Sequence, residues 1–307
     1  MPPRPPTRQH RVEYLALRAI VAVLALLPVR VAAALGGRLG RLGHLLGIRR
    51  ATVEAQLRFA FPEFSEAEVA RHAREAFDNL GRTAIESAVL ALRGTAAIRD
   101  YVPIVGREHL DAARAGGRAV LVVSGHLGNW ELAGATLAAH GYPTDGVARH
   151  MGNPYLERWL TRVREASGLR VVFDDEAVRV IPRAIRDGRL IGLLSDQGVV
   201  GLASSWVPFF GRVAKTPRGG AVFALRNGLP MVFAVAVRDE RHRLRLVVEP
   251  LPMPPPTGDR DVDVDAIVAA YTARLEAWIR RHPGQYFWQH RRWKHQPPGA
   301  PPLPPGL

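Results

Sequence analysis

From residue 102 onward, short runs rich in apolar and β-branched residues alternate with stretches of helical periodicity. The runs predict strands at 102–105, 119–124, 146–149, 170–173, 190–194, 231–237 and 244–248. Helical patterns lie between them near 107–115, 129–140, 154–167, 177–187, 218–227 and 263–281. Strands separated by helices of this length form βαβ units. The pattern therefore predicts an α/β fold with a mostly parallel central sheet flanked by helices.

Residues 51–100 have a helical pattern without strand-like runs, and one helix start is well marked. Ser65 is followed three positions later by Glu68, just before a run of apolar residues. A hydroxyl and a carboxylate at this spacing each accept a hydrogen bond from an N–H group of the first helical turn. We therefore expect a capped helix to begin at Ser65 and to continue to about residue 93.

Residues 12–50 carry an apolar stretch followed by an amphipathic one. The unbroken apolar run covers 19–29, which is shorter than the roughly 20 residues that cross a bilayer. In the next stretch Leu35, Leu39, Leu42 and Leu46 share one helical stripe, with arginines beside it. The pattern favours two helices lying in a membrane surface. Ordinary core helices and a secretory signal peptide are the alternatives.

The two ends of the chain are rich in proline and lack apolar periodicity. We therefore predict disorder over 1–11 and in the Pro-rich tail 296–307. Between them, 12–50 are predicted to be membrane-associated helices, and 51–295 an α/β catalytic domain with a helical part, 51–100, and a βα core, 101–295.

The net charge of +14 comes almost wholly from arginine, because the chain has only two lysines, Lys215 and Lys294. Such a charge suits an anionic partner: nucleic acid, an acidic membrane leaflet, an acidic carrier protein or a phosphorylated substrate. The chain has no cysteine, which excludes disulfides, thiolate metal sites and a cysteine nucleophile.

A candidate catalytic histidine follows the predicted strand 119–124. Open α/β sheets bind their ligands at the carboxyl ends of strands, where His126 lies. Glu131 is five residues further on, about 140° around a regular helix, so the two side chains do not face each other on an unbroken helix. If His126 lies in a turn that Gly128 permits, Glu131 reaches one imidazole nitrogen and orients the ring. The spacing alone also fits a strand-terminal histidine followed by a helix-capping glutamate.

The segment His126-Leu-Gly-Asn-Trp-Glu131 resembles the His-x4-acid motif of the lysophospholipid acyltransferase superfamily, in the form found in bacterial lipid A biosynthesis (lauroyl/myristoyl) acyltransferases. Further blocks match this family in order: Arg149 with Asn153-Pro154; Ser195-Asp-Gln-Gly198 followed by Val207-Pro-Phe-Phe-Gly211 and Thr216; and Gln285-Tyr-Phe-Trp-Gln-His-Arg-Arg-Trp-Lys294. The resemblance covers roughly residues 10–296. The chain departs from the family in having Gly219-Gly220 where Gly-Pro is expected.

The resemblance implies a membrane-associated acyltransferase on the cytoplasmic face of the bacterial inner membrane. Its donor would be an acyl carrier protein thioester and its acceptor a hydroxyl of a lipid A precursor or another anionic glycolipid. His126 would be the general base, Glu131 would orient it, and no cofactor, metal or covalent intermediate is required. We expect backbone N–H groups near 125–128 to bind the oxyanion. The expected substrate-binding residues are Gly128, Asn129, Arg149, Asn153, Asp196, Arg291 and Arg292, with Asp196 either orienting Arg149 or capping a turn.

The same Gly-Asn-Trp sequence occurs in relatives that acylate phosphatidylinositol mannosides. A phosphatidylinositol mannoside or another lysophospholipid therefore remains an alternative acceptor. Arg291, Arg292, Lys294 and Trp293 suggest a basic aromatic patch for anionic headgroups or, alternatively, a plain solvated surface. A non-enzymatic basic protein that binds membranes or nucleic acid is a rival interpretation. The chain has no zinc pattern, RNP motif or HExxH, so we expect neither a nucleic-acid partner nor a metallohydrolase.

Overall fold

A seven-stranded sheet lies at the centre of the computed structural model, which describes residues 6–198 and 201–307. Its strands are β1 (Ile104–Val105), β2 (Val120–Ser124), β3 (Thr144–Ala148), β4 (Arg170–Phe173), β5 (Leu190–Leu194), β8 (Met231–Arg238) and β9 (Leu244–Pro250). They lie in the order β1-β9-β8-β2-β5-β3-β4. Every neighbouring pair is parallel except β8 and β9, which are antiparallel. The predicted α/β fold with a mostly parallel sheet is confirmed.

Helices precede the sheet and connect its strands. They are α1 (Arg8–Leu24), α2 (Val29–Leu45), α3 (Arg50–Ala60), α4 (Glu66–Arg93), α5 (Thr95–Tyr101), α6 (Arg107–Ala113), α7 (Trp130–Ala139), α8 (Pro154–Ala166), α9 (Ala177–Arg186), α10 (Gly219–Asn227) and α11 (Arg260–Arg281), with 3₁₀ turns at Ala115–Gly117 and Pro283–Gln285. The predicted capping box is confirmed, because Ser65 and Glu68 each accept a hydrogen bond from the other's backbone N–H.

Two apolar cores cover the two faces of the sheet. One contains α7, α5, α6 and the C-terminal half of α4, packed on the side chains of β2 that include Val120 and Val122. The other contains α3, α9, α10, α11 and the N-terminal half of α4, packed on Leu121 and Val123. The 28-residue helix α4 thus contributes to both cores. It contacts the loop after β2, because Thr83 donates a hydrogen bond to the carbonyl of Gly128.

A β-hairpin that the sequence pattern did not predict lies outside the central sheet. Its antiparallel strands are β6 (Ser204–Phe209) and β7 (Arg212–Pro217). Pro208 interrupts the first run, and proline in a run normally argues against a strand. The two turn residues, Phe210 and Gly211, both have positive φ. Two-residue hairpin turns of this type usually contain Asn-Gly or Asp-Gly. The turn Phe210-Gly211 does not match that pattern, so the sequence did not predict a hairpin here.

The glycines of α2 allow it to pack closely on α4. A Cβ added to Gly40 would lie 2.0 Å from the carbonyl oxygen of Phe77, and one added to Gly36 would lie 2.6 Å from that of Gly81. Small residues four apart permit this kind of backbone contact. In the described part of the chain, no helix combines the length and apolar character needed to cross a membrane.

The ends of the chain are more ordered than their composition indicates. Residues 1–5 lie outside the described residues, but 8–11 form the start of α1 where disorder was expected. The reason is a capping box made by Thr7 and His10, a pairing that the usual Ser/Thr-x-x-Glu/Gln pattern does not contain. The tail 296–307 has no helix or strand, yet the side chain of Leu307 is buried in the core.

A buried ion pair joins α4 to β8 beneath the loop that carries His126. Both guanidinium NH groups of Arg238 donate to the carboxylate of Glu86, at 3.0 and 2.7 Å, and both residues are almost fully buried. Tyr101 and Asn129 also donate to Glu86, each at 2.8 Å. Burial acts to raise the pKa of Glu86, but Arg238 and the other donors hold it below the ordinary value. The carboxylate therefore stays ionised, with its oxygens hydrogen-bonded.

We expect Glu86→Gln to lower the free energy of unfolding by about 3–5 kcal/mol, because it leaves a buried guanidinium without its counter-charge. The exposed substitution Glu176→Gln is the control and is expected to cost less than about 1 kcal/mol. Urea unfolding followed by circular dichroism measures both. Since folding lowers the pKa of Glu86, the stability it adds is present above about pH 4 and is lost at lower pH. Equal effects of the two variants at pH 7 would contradict the assigned role of the pair.

Candidate active site

His126 and Asp196 meet at the carboxyl end of the sheet. The Nδ1 atom of His126 lies 2.7 Å from one carboxylate oxygen of Asp196, and the His126 backbone N–H donates to the other at 3.1 Å. The strands that precede them pair in register, with Ser124 of β2 beside Leu194 of β5. Each residue lies two positions beyond the end of its strand, so the strand pairing brings them together.

Asp196 is buried, and its protonation state is set by its neighbours. Burial acts to raise the pKa of this carboxyl group, but the His126 imidazole, two hydrogen bonds from His126 and the nearby Arg292 hold it well below its usual range. An ionised carboxylate at Nδ1 keeps a proton on that nitrogen and leaves Nε2 with a free lone pair. The arrangement has the geometry of a general base held by an acidic side chain.

Glu131 does not make the contact with His126 that the sequence suggested. Its carboxylate forms a bidentate pair with Arg164 of α8, at 2.8 and 2.7 Å, while Asp196 occupies Nδ1 of His126. Helix α7 begins at Trp130, so Glu131 follows helical geometry and points toward α8. Burial acts to raise the pKa of Glu131, but Arg164 first, and His126 to a smaller degree, hold it below its ordinary value. Glu131 thus stays ionised in the neighbourhood of the imidazole.

Gly128 and Asn129 hold the loop in place instead of facing open space. Gly128 has a φ of +64°, and its carbonyl accepts hydrogen bonds from Asn79 and Thr83. Asn129 is fully buried, caps α7 and donates to Glu86. We expected both residues to bind substrate, but the Gly128 carbonyl and the Asn129 side chain form hydrogen bonds within the protein instead.

The expected oxyanion donors in this loop are already engaged. The backbone N–H groups of 126–129 donate, in order, to Asp196, Gly125, Gln285 and Ala236. A donor that is satisfied within the protein is not available to a developing oxyanion. The expectation that N–H groups near 125–128 form the oxyanion hole is therefore wrong for 126, 127 and 128.

Arg149 and Asn153 lie on the α8 side, away from the His126–Asp196 pair. The exposed Arg149 donates to Asp174 at 3.0 Å and has no contact with Asp196. Asn153 caps α8 and also donates to the His10 carbonyl and to Glu13 of α1. These contacts attach α1 to the start of α8. The idea that Asp196 orients Arg149 is wrong.

The predicted surface patch is only half exposed: Arg291 and Lys294 face solvent, but Arg292 and Trp293 do not. Arg292 is buried and donates to the Lys215 carbonyl and to Thr216. Trp293 is fully buried, and Arg291 donates to the carbonyl of Leu307. Burial lowers the pKa of Arg292 below its ordinary value, and the nearby Tyr286 and Asp196 offset only part of that effect. Arg292 contributes positive charge behind Asp196 and does not face solvent.

Two aromatic rings that were not assigned a role flank the imidazole. The ring centre of Trp130 is 5.3 Å from that of His126, and the ring of Phe287 is 6.0 Å away. The backbone N–H of Phe287 also donates to the His126 carbonyl at 2.9 Å. Both rings lie inside motifs that the sequence marked, but only the folded chain brings the two motifs together.

An apolar pocket adjoins this site between α7 and the sheet. The cavity is narrow, with a volume of about 80 Å³. Trp130 and Glu131 lie at one part of its wall, and aliphatic side chains and glycines form much of the rest, among them Val122, Leu137, Gly146, Leu169, Gly192 and Leu194. Such a lining suits an unbranched hydrocarbon chain better than a polar ligand.

Comparisons with known proteins agree with one another. Residues 1–295 match the model of the family described as bacterial lipid A biosynthesis acyltransferase. The chain is similar to a lipid A biosynthesis palmitoleoyltransferase of Escherichia coli, 28% identical over 277 residues that cover 89% of this chain and 88% of the relative. A lipid A biosynthesis myristoyltransferase of the same organism is 26% identical over 92% of this chain and 86% of the relative. A phosphatidylinositol mannoside acyltransferase of Mycolicibacterium smegmatis is 26% identical over 42% of this chain and 43% of the relative.

Gly128→Ala is expected to destabilise the protein by about 3 kcal/mol, since it combines a strained positive φ with a steric clash. The added Cβ would lie 1.9 Å from the carbonyl oxygen of Ala236. Gly228→Ala is the matched control, because Gly228 has a similar φ of +58° and no atom near its Cβ position. Its expected cost is only about 1 kcal/mol. Thermal unfolding measures both, and equal losses would show that the contact with Ala236 is not what requires a glycine at 128.

Proposed function

Because the chain belongs to the bacterial lipid A biosynthesis acyltransferase family and is therefore an acyltransferase, we propose that it acylates a glycolipid with His126 as general base. The donor is an acyl carrier protein thioester, and the acceptor is a hydroxyl of a lipid A precursor or a related glycolipid. The observation that carries this proposal is the His126–Asp196 pair at the carboxyl end of the sheet, beside an apolar pocket. The acceptor class is supported by the names of the relatives.

The proposed reaction needs no group beyond the two substrates and the side chains. Nε2 of His126 takes the proton of the acceptor hydroxyl as its oxygen attacks the thioester carbonyl carbon. The tetrahedral intermediate collapses with cleavage of the C–S bond, and the imidazolium returns the proton to the thiolate. The products are an ester and the carrier's free thiol. General-base assistance of this kind contributes about 10²–10⁴ in rate.

Asp196 and Glu131 have different parts in this proposal. Asp196 touches the imidazole, fixes its tautomer and balances the positive charge that forms on it during transfer. Glu131 is a positioning residue that acts through Arg164, because their bidentate pair ties the start of α7 to α8. The nearby imidazole in turn helps to hold the pKa of Glu131 below its ordinary value.

The apolar pocket is the proposed site of the fatty acyl chain. The thioester carbon must lie near His126, and the pocket wall contains Trp130, whose ring is beside that imidazole. Each methylene buried there contributes about 0.8 kcal/mol, so pocket depth selects chain length. The glycines in the wall make room that a larger side chain would fill.

The protein is proposed to work at the surface of the inner membrane, on its cytoplasmic face. Large apolar side chains of α1, α2 and the adjoining turns are well exposed: Val23, Leu26, Leu45, Leu46 and Ile48. Exposed apolar residues on amphipathic helices are typical of proteins that lie in a membrane interface. The domain division predicted from the sequence, with a membrane-associated segment at 12–50, remains part of this proposal.

Acylation of a phosphatidylinositol mannoside is the second candidate, because a relative with that name matches part of the chain. The two acceptors differ in headgroup chemistry and are separated by offering both to the same preparation. A non-enzymatic nucleic-acid or membrane-binding role is not supported, since the chain belongs to an acyltransferase family.

His126→Ala is expected to abolish acyl transfer, and Asp196→Asn to lower kcat by about 10³–10⁴ because the tautomer is no longer fixed. The assay incubates membranes containing the protein with acyl carrier protein thioesters and lipid A precursors, and mass spectrometry detects the added acyl group. His109→Ala replaces an exposed histidine and is expected to leave the rate unchanged. Full turnover by folded His126→Ala protein would rule out the general-base assignment.

Gly192→Val is expected to shift the preferred donor to a shorter acyl chain. Gly192 lines the pocket, and only the Asp145 carbonyl lies near its Cβ position, at an ordinary 3.6 Å, so the strand accepts a side chain there. The control, Gly219→Ala, lies outside the pocket at the start of α10, with no atom near the added Cβ. Competition among thioesters of different length measures the preference. An unchanged preference in folded Gly192→Val protein would place the acyl chain elsewhere.

A further inference from the structure

An open basic groove lies beside the candidate active site. Its walls are the N-terminal half of α4, the turn between β8 and β9, and the C-terminal end of α11 with the 3₁₀ turn that follows. Arg41 of α2 lies at its rim. The groove has a volume of about 1110 Å³, more than ten times that of the apolar pocket at about 80 Å³. We call it the arginine groove, because nine arginines line it.

The groove has a large excess of positive charge. Nine arginines face only four carboxylates, and three of these carboxylates are already paired with groove residues. Asp78 lies between Arg41 and Arg82. The exposed Glu240 is the fourth carboxylate. The internal carboxylates therefore do not neutralise the groove.

The guanidinium groups of four of the arginines have no carboxylate oxygen within 4 Å in the part of the chain that is described: Arg74, Arg241, Arg245 and Arg281. All four are exposed and come from three different elements, α4, β9 with its preceding turn, and α11. The positive charge of the groove also acts on His282, whose pKa is lowered first by burial and then by the nearby Arg281 and Arg245. Like charges gathered in a concave surface repel one another until an anion binds between them. Guanidinium groups match phosphate oxygens in geometry as well as charge.

The floor of the groove connects directly to the loop of His126. Gln285 and Asn79 lie in the groove, and both hold Gly128: Gln285 accepts its N–H, and Asn79 donates to its carbonyl. Gln285 is also only two residues from Phe287, whose ring flanks the imidazole. Two residues of extended chain span at most about 7 Å. The groove therefore borders the loop that carries His126, through Gln285 and Asn79.

The rim of the groove points to a lipid as its occupant. Arg41 lies on α2, and the same helix exposes Leu39, Leu42 and Leu45. A headgroup bound beside this helix would leave its hydrocarbon chains next to an apolar surface. A concave site of this kind also suits a headgroup better than the broad face of a protein partner, which needs about 800 Å² on each side.

We propose that the arginine groove binds a phosphate-bearing headgroup of the acceptor glycolipid and thereby places its hydroxyl beside His126. This inference rests on the proposed function and adds a site for the acceptor. Arg238 and Arg82 are not expected to bind the phosphate, because each is already paired with a carboxylate of the protein, Glu86 and Asp78 respectively. The unpaired arginines at the rim and turn are the ones that recognise phosphate.

The test is the double variant Arg241→Gln/Arg245→Gln, with Arg186→Gln/Arg226→Gln as the matched control. The control arginines are also exposed and without a carboxylate partner within 4 Å in the described chain, but they lie on α9 and α10, outside the groove. Both pairs remove the same charge. Thermal unfolding verifies that each variant is folded.

Binding is measured by co-sedimentation with phosphatidylcholine vesicles that contain a phosphorylated lipid A precursor. Parallel samples contain the same glycolipid after phosphatase treatment, or phosphatidylglycerol at equal surface charge. We expect the groove variant to bind the phosphorylated precursor about 10–30-fold more weakly, and the control within about twofold of wild type. Neither variant should change binding to the dephosphorylated glycolipid. Inorganic phosphate should compete only at far higher concentration than the lipid.

Equal binding of the phosphorylated precursor by the groove and control variants would overturn the proposal. An equal loss on phosphatidylglycerol vesicles would also overturn it, since the groove would then sense bilayer charge alone. A selective loss of binding to immobilised acyl carrier protein would assign the groove to the donor instead and overturn it likewise. His126→Ala should retain headgroup binding. Wild-type protein that binds the precursor without acylating it would refute the proposed function but not the assignment of the groove.

Discussion

The pairing of Glu86 with Arg238 is the interaction on which the candidate active site depends. Both charges are buried, so their hydration has been exchanged for contacts within the protein, and the carboxylate also accepts hydrogen bonds from Tyr101 and Asn129. An ion pair in such surroundings is tolerated only when its hydrogen bonds are complete. The pair itself joins α4 to β8, and the completing donors come from α5 and the loop after β2. The pair therefore fixes the relative positions of four parts of the chain, and one of them carries His126.

In the proposed function the chemistry lies at the ends of parallel strands, and the two substrates bind to different surfaces. His126 and Asp196 follow neighbouring strands in register, which keeps the imidazole and carboxylate in contact without help from a flexible linker. The apolar pocket lies under α7, and the arginine groove lies on the far side of the same loop. A hydrocarbon chain and an anionic headgroup have opposite requirements for solvation, because one avoids water and the other needs counter-charge. The two proposed sites, one apolar and one basic, would meet both requirements.

Much of the architecture was predictable because it depends on patterns of neighbouring residues in the sequence. The runs that form β2, β5 and β8 are apolar enough to be buried on both faces, which is the signature of parallel strands. The helix start at Ser65 was predictable because capping involves residues three apart. The hairpin of β6 and β7 was missed because Pro208 and a Phe-Gly turn both depart from the usual strand and turn chemistry. Arg292 and Trp293 looked like surface residues because polarity in a short segment does not reveal what later folds over it.

The sequence by itself determined the alternation of strands and helices, the position of His126 after a strand, and the family to which the motifs belong. These properties depend on periodicity and short-range spacing, which operate within a few residues. Only the tertiary structure decided which acid contacts His126. Glu131 is five positions away but follows the geometry of its own helix to Arg164, whereas Asp196, 70 residues away, is brought to the imidazole by the register of β2 and β5. Contacts between distant residues depend on strand pairing and packing, and no local pattern specifies them.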